Sequence, residues 1–220
     1  MIIAPSLLAE NFFKLNSTIN ELESLGIKAL HIDVMDGQFV PEITIGSSFI
    51  KDLKAFTKLQ LDVHLMVRDP DTQINQFIQS GADIISFQIE SARHPYRICQ
   101  EIINNGKIPG IAVNPGTPIE LVFPLLPVLN QVTIMTVNPG YSRQNMIYEC
   151  LNKISLLKKA ELYSSRCCIK IDGGVNENNI GKICSLGANW VVVGGALFNN
   201  EKLSLNLIKL QNALKKDCKE

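Results

Sequence analysis

Leu25-Gly26-Ile27-Lys28-Ala29-Leu30-His31-Ile32-Asp33-Val34-Met35-Asp36-Gly37 carries three signals in one short stretch. A glycine closes the segment before it, an aliphatic run follows at once, and polar side chains interrupt that run at alternate positions. Glycine after a helical pattern fits the position just past a helix C-terminus, where a positive φ is cheap for glycine alone. The run that follows reads as a strand, and His31 and Asp33, two residues apart, project to the same face of it.

The same punctuation returns at Gly81, Gly106 and Gly187. The intervals are close to two, one and three units of about 27 residues, and a chain of 220 residues holds eight such units. Short β-branched or aliphatic runs supply eight candidate strands, at 2–7, 29–35, 59–67, 83–89, 108–113, 131–137, 168–172 and 189–194. Amphipathic segments such as 10–25, 71–80, 144–163, 177–186 and 202–215 lie between them, and the second, near 47–56, is short and lacks a terminal glycine. Buried strands alternating with helices mean βαβ units and a parallel sheet. Eight of them predict an α/β fold, a single (β/α)8 TIM barrel domain over residues 1–220. No G-x-G-x-x-G follows the first strand to favour an open doubly wound sheet.

Composition removes other classes. Basic and acidic side chains number 21 each, so the formal net charge is zero and the pI is near 6.8. That balance provides no footprint for nucleic acid or an anionic membrane surface. With 46% hydrophobic and 19% charged residues the chain is too apolar to be disordered. The N-terminus lacks a basic n-region and meets Pro5 and Glu10 early, unlike a signal peptide. No apolar run approaches the ~18–20 residues that span a bilayer. Cysteines 99, 150, 167, 168, 184 and 218 form no C-x-x-C and no even framework, so they are expected reduced, in a cytoplasmic protein.

A barrel of this kind places its active site at the C-terminal ends of the strands. There the sequence sets polar residues where pattern alone predicts aliphatic ones: His31 and Asp33 on the second strand, Asp62 and His64 on the third, Asp172 at the end of the seventh. Any one of them alone reads best as a satisfied buried polar group. Two imidazoles and two carboxylates near one barrel mouth are costly unless they pair or hold a cation. Such a set suits one divalent ion per subunit: zinc, iron(II), manganese or cobalt. Gly173-Gly174 and Gly194-Gly195 follow the last two strands, where barrels often bind phosphate through backbone N–H groups. The segment Asn138-Pro-Gly-Tyr-Ser-Arg-Gln144 is placed to fold over the site as a lid.

These segments resemble the ribulose-phosphate 3-epimerase family over nearly the whole chain. The resemblance rests on Ile-Ala-Pro-Ser-Leu-Leu at 3–8, His-Ile-Asp-Val-Met-Asp-Gly at 31–37, Phe-Val-Pro at 39–41 and Asp-Val-His-Leu-Met at 62–66. Asn-Pro-Gly-Thr-Pro at 114–118, Met-Thr-Val-Asn-Pro-Gly at 135–140 and Asp-Gly-Gly-Val at 172–175 complete it. It implies that His31, Asp33, His64 and Asp172 bind the metal and that Asp33 and Asp172 form the acid/base pair. It implies that Ser6 and His64 touch substrate and that Met35, Met66 and Met135 pack over the substrate plane. Phosphate contacts map to Gly140, Tyr141, Ser142, Arg143, Gly173, Gly174, Gly194 and Gly195. A homo-oligomer is implied as well.

The chain departs from the pattern of the family it resembles in three places. The lid usually reads Pro-Gly-Phe-Gly-Gly-Gln, and here Ser142 and Arg143 replace two glycines. Arg143 offers a charge-assisted phosphate contact in exchange for lost backbone approach. Gln38 and Gln88 stand where the family commonly has histidines that are not metal ligands. The implied reaction inverts C3 of D-ribulose 5-phosphate to D-xylulose 5-phosphate through an enediolate, in the pentose phosphate pathway. One base cannot easily serve both faces of a planar intermediate, whereas two opposed carboxylates can. Competing readings are an epimerase of a six-carbon ketose phosphate such as D-allulose 6-phosphate, a lyase, or a non-catalytic phosphate-ligand binder. Lyases on similar barrels usually carry Asp-x-Lys-x-x-Asp on the third strand, and Asp62-Val-His-Leu-Met-Val67 offers no lysine.

Overall fold

The computed structural model describes residues 1–217. Eight parallel strands form one sheet: β1 (Ile2–Pro5), β2 (Ala29–Met35), β3 (Gln60–Met66), β4 (Ile84–Gln88), β5 (Ile108–Val113), β6 (Gln131–Met135), β7 (Cys168–Asp172) and β8 (Trp190–Val193). Each lies inside its expected run. The strands follow one another around the sheet, β1 pairs with β8, and a bridge between Ser6 and His31 brings β1 back to β2. The sheet is thereby a nearly closed (β/α)8 barrel.

Among the described residues seven α-helices alternate with the strands: α1 (Leu15–Ser24), α2 (Ser47–Phe56), α3 (Pro70–Gln79), α4 (Pro95–Asn104), α5 (Asn152–Lys159), α6 (Ile180–Ser185) and α7 (Leu203–Asp217). Gly26, Gly81, Gly106 and Gly187 adopt φ of 79°, 94°, 69° and 101° past α1, α3, α4 and α6, as the punctuation predicts. Helix α5 is shorter than the expected 144–163, since a 3-10 turn at Tyr148–Leu151 precedes it. Between β5 and β6 the connection Ile119–Val128 is 3-10 helix, with Pro124 and Pro127 inside it. Each proline removes an N–H and crowds the carbonyl one α-turn back, so an α-helix cannot run through this segment.

The main hydrophobic core lies between sheet and helices, where Ile32, Val63, Phe87 and Ile134 of the strands meet Leu22, Ile50, Phe77 and Ile102 of the helices. The barrel interior is different. A small apolar plug of Ala4, Ala29, Ile84 and Trp190 fills its lower end. Above it come fully buried polar side chains, among them His31, Asp62, His64, Ser86, Thr133 and Lys170. Pairing places Asp33 beside His64, Met35 beside Met66, and Asp172 beside Met135 and Val192.

The cysteine expectation needs one correction. Cys99, Cys150, Cys167 and Cys168 are free, but Cys184 on α6 is disulfide-bonded. A disulfide requires only that two Cβ atoms meet in space, which spacing along the chain does not report. Cys218 lies outside the described residues.

Candidate active site

Strand β2 delivers His31 and Asp33, β3 delivers His64, and β7 ends on Asp172. One ligand atom from each lies within 4.8 Å of the others. Nε2 of His31 sits 3.3 Å from Oδ1 of Asp33 and 3.4 Å from Oδ2 of Asp172. Nδ1 of His64 sits 3.5 and 3.7 Å from the same two oxygens. Four ligands at zinc-like bond lengths of roughly 2.0–2.2 Å in a tetrahedron stand about 3.3–3.6 Å apart. Both ring nitrogens that face the gap, Nε2 of His31 and Nδ1 of His64, are buried without a hydrogen-bond partner. Orphaned imidazole lone pairs facing two carboxylates across such gaps fit a divalent cation. This His/Asp cluster is a metal-competent site, and the donor set suits several ions.

Asp62 does not join the cluster although it shares a face with His64. Two residues earlier on β3 it lies about 7 Å deeper in the barrel. There its Oδ2 accepts hydrogen bonds from Nδ1 of His31 at 2.7 Å and from Nζ of Lys170 at 2.6 Å. Burial raises the Asp62 carboxyl, but Lys170 and His31 outweigh it and bring it down to about 2. Burial disfavours a charged His31, yet Asp33 and Asp62 together hold its pKa well above the ordinary value. The field that draws a proton to this ring draws a cation equally. Burial also raises Asp33, and the imidazoles of His31 and His64 reverse it, leaving Asp33 well below the usual carboxylate range. Asp172 is lowered by the same rings against burial and against the charge of Asp33. The other oxygen of Asp33, Oδ2, accepts the Ser6 hydroxyl at 2.7 Å.

A cavity of about 500 Å3 opens above the cluster. Asp33 on β2 and Asp172 on β7 both reach it, and Met35, Met66 and Met135, all buried, form part of its wall. Gly140, Tyr141, Ser142, Arg143, Gly173, Gly174, Gly194 and Gly195 line it as well. Ser6, His31 and His64 are buried and do not line it. The loop after β6 is stitched by Gln144, whose Nε2 donates to the carbonyls of Asn138 and Tyr141 at 2.7 and 2.9 Å. Gly174 is required by space: a Cβ there would fall 2.5 Å from the backbone nitrogen of Met146, and its φ is 66°. Sequence reasoning missed Asn199, Asn206 and Lys209 on the cavity rim. Asn206 is buried and donates to the Leu197 carbonyl and to Oδ1 of Asn199. The signal that finds it is a polar residue on the inward stripe of an amphipathic helix.

Fold and site together define a (β/α)8-barrel enzyme with a His2Asp2 cluster at the C-terminal ends of its strands. The profile of the ribulose-phosphate 3 epimerase family matches residues 2–198. A ribulose-phosphate 3-epimerase of Synechocystis is 39% identical over 202 residues, 90% of this chain and 88% of that protein. The Bacillus subtilis enzyme of the same name is 39% identical over 198 residues, 89% and 91% of the two chains. The chain belongs to the ribulose-phosphate 3-epimerase family. Solved structures share the fold at low identity. A 3-hexulose-6-phosphate synthase from Salmonella typhimurium aligns with TM-score 0.70 and 16% identity over 99% of this chain and 100% of its own. A 3-keto-L-gulonate-6-phosphate decarboxylase from Vibrio cholerae gives 0.71 and 12% over 100% and 99%.

Proposed function

We propose that the protein interconverts D-ribulose 5-phosphate and D-xylulose 5-phosphate by inverting C3, with Asp33 and Asp172 as the acid/base pair. The observation that carries this reading is that two carboxylates, one from β2 and one from β7, line one cavity and lie close to the imidazoles of His31 and His64. One carboxylate, ionised, takes the C3 proton; the other, protonated, returns a proton to the opposite face of the planar enediolate. The charge on Asp33 opposes the lowering of Asp172 by the two imidazoles, so the two carboxyls titrate as a coupled pair. Ser6 keeps Asp33 oriented by occupying its second oxygen.

His31, Asp33, His64 and Asp172 would hold one divalent cation, zinc, iron(II), manganese or cobalt. When bound, that ion supplies polarisation of the substrate carbonyl and counter-charge for the enediolate oxygen. Met35, Met66 and Met135 offer a soft apolar wall against the carbon skeleton. The phosphate is assigned to the end of the cavity lined by Gly173, Gly174, Gly194, Gly195 and the loop Gly140 to Arg143. Lys170, the only strand lysine among the described residues, is fully buried against Asp62 and does not line the cavity, which weighs against a lysine-dependent lyase.

Asp33→Asn and Asp172→Asn are each expected to leave a folded barrel with under ~1% of wild-type turnover, since acid/base groups contribute ~100-fold or more. Retained turnover in either variant sinks the two-carboxylate scheme. Comparing kcat/KM for D-ribulose 5-phosphate and D-allulose 6-phosphate tests the substrate; a preference for the six-carbon sugar overturns the five-carbon assignment.

We further propose a cytoplasmic homo-oligomer. Among the described residues no helix is long and apolar enough to cross a membrane. Four free cysteines support a reducing compartment, while the bonded Cys184 weighs the other way. Exposed Phe12 packs edge-on against Phe49 beside fully exposed Phe13, an apolar surface suited to a subunit contact. Sedimentation of wild type and Phe13→Ser decides the oligomer, which the variant is expected to weaken.

A further inference from the structure

Gln88 ends β4 inside the barrel, fully buried, with Nε2 of its amide 3.1 Å from Nε2 of His64. In a neutral imidazole one nitrogen carries the proton and the other the lone pair. Nδ1 of His64 faces Oδ1 of Asp33 and Oδ2 of Asp172 at 3.5 and 3.7 Å, and it makes no hydrogen bond. If the proton sat on Nδ1, it would be a buried donor without an acceptor at bonding distance, at a cost. The Gln88 oxygen is likewise buried without a partner when the amide nitrogen faces the ring. The two ends of a side-chain amide are nearly the same size, so a half-turn exchanges them without repacking.

We propose that Gln88 is a positioning residue: turned with its oxygen to the ring, it accepts the Nε2 proton of His64 and so directs the Nδ1 lone pair into the His/Asp cluster. This inference rests on the metal-site reading above. The two imidazoles are then oriented by unlike means. His31 donates a hydrogen bond from Nδ1 to Asp62, whose charge Lys170 offsets, and presents Nε2 to the gap. His64 gives its Nε2 proton to an uncharged amide and presents Nδ1. Gln88 thus fixes a ring without adding charge: Asp62 and Lys170 cancel, and Asp33 and Asp172 balance a divalent ion. A carboxylate at this position would orient the ring equally well but leave one buried negative charge in excess, which opposes an anionic sugar phosphate.

The test uses Gln88→Glu, which keeps an acceptor, and Gln88→Met, which keeps the volume and removes it. Long-range 1H–15N correlation spectra of the histidine-labelled, metal-free proteins at pH 8 report which nitrogen of His64 holds the proton. Zinc affinity is measured by competition with a chromophoric chelator. The expected result is the Nε2–H form in wild type and Gln88→Glu, with zinc bound at least as tightly by the latter. Gln88→Met is expected to lose that preference and to bind zinc ~10–100-fold more weakly, as when other orienting partners of metal-bound histidines are removed. An Nδ1–H form in the wild type, or wild-type zinc affinity in a folded Gln88→Met, overturns the proposal. If Gln88→Met does not fold, loss of the Nε2–H form in Gln88→Glu overturns it alone. Failure of the wild type to bind zinc refutes the metal site instead, and the tautomer spectrum still decides the role of Gln88.

Discussion

Arg143 holds φ at 62°, the one non-glycine with positive φ among the described residues. A long side chain in that region costs on the order of 1 kcal/mol or more. The family commonly has glycine at this point of the lid, so the backbone keeps a glycine shape under an arginine. Arg143 lines the cavity and its Nη2 donates to the Phe198 carbonyl at 2.9 Å, which fixes the arm across the loop after β8. Arg143→Gly removes the strain together with that bond, and the two offset. Stability is therefore expected to stay within about 1 kcal/mol of wild type by urea unfolding. A charge-assisted bond to phosphate is worth about 1.5–3 kcal/mol, so KM for the sugar phosphate should rise roughly 10- to 100-fold while kcat changes little. An unchanged KM means the guanidinium does not reach the phosphate. The substitution itself was readable in the sequence. Its strain and its anchor were not, because the first is a backbone φ and the second a carbonyl 55 residues away.

Among the connecting elements, two loops show how much of the site's frame the sequence conceals. Asn-Pro-Gly-Thr-Pro at 114–118 reads as a family segment, but what holds it is Lys153 of α5. Its Nζ donates to the carbonyls of Asn114, Pro115 and Thr117 at 2.7, 2.9 and 2.8 Å. Lys153→Met leaves those carbonyls without the ammonium and should destabilise the protein by about 1–3 kcal/mol, seen as a lower urea midpoint; no loss means water replaces the ammonium without cost. Asp36 does similar work between β2 and β3, accepting from the N–H groups of Gln38, Phe39 and Arg68 at 2.9, 3.0 and 2.8 Å. Burial raises this carboxyl, and the backbone donors together lower it further than burial raises it. A carboxyl lowered on folding stabilises above its unfolded value near pH 4 and loses that contribution as pH falls through the folded value. The gap in urea midpoint between wild type and Asp36→Asn should therefore shrink from pH 6 to pH 3, and a constant gap removes the charge from the account. Strands were legible to within two residues because burial on both faces leaves continuous aliphatic runs. Helix bounds and loop anchors were less so, since Pro124, Pro127 and Lys153 act through geometry that periodicity does not encode.

The barrel's neutrality and its polar interior belong to one argument. The chain carries 21 charges of each sign, yet it handles an anion, so its positive field must be local. Lys170 is not that field, because Asp62 cancels it at the bottom of the polar layer. What remains at the strand ends is Asp33 and Asp172 facing two imidazoles with unpaired inward nitrogens, an arrangement that is negative and under-bonded by itself. Such a cluster costs folding stability until a cation enters, because the carboxylates lose water without gaining full partners. Binding to the folded state alone then stabilises by about 2.7 kcal/mol at a hundred times Kd. For a chain of this length that is a rise in Tm of about 5–10 °C. Stripping the protein with a chelator and adding back zinc, manganese, iron(II) or cobalt should reproduce that rise with at least one ion. The rise should be absent in His31→Gln/His64→Gln, whose side chains cannot complete the set. A Tm indifferent to chelator and ion in the wild type would mean that the four residues hold one another through hydrogen bonds and that the positive field must come from Arg143 and Lys209 at the cavity rim.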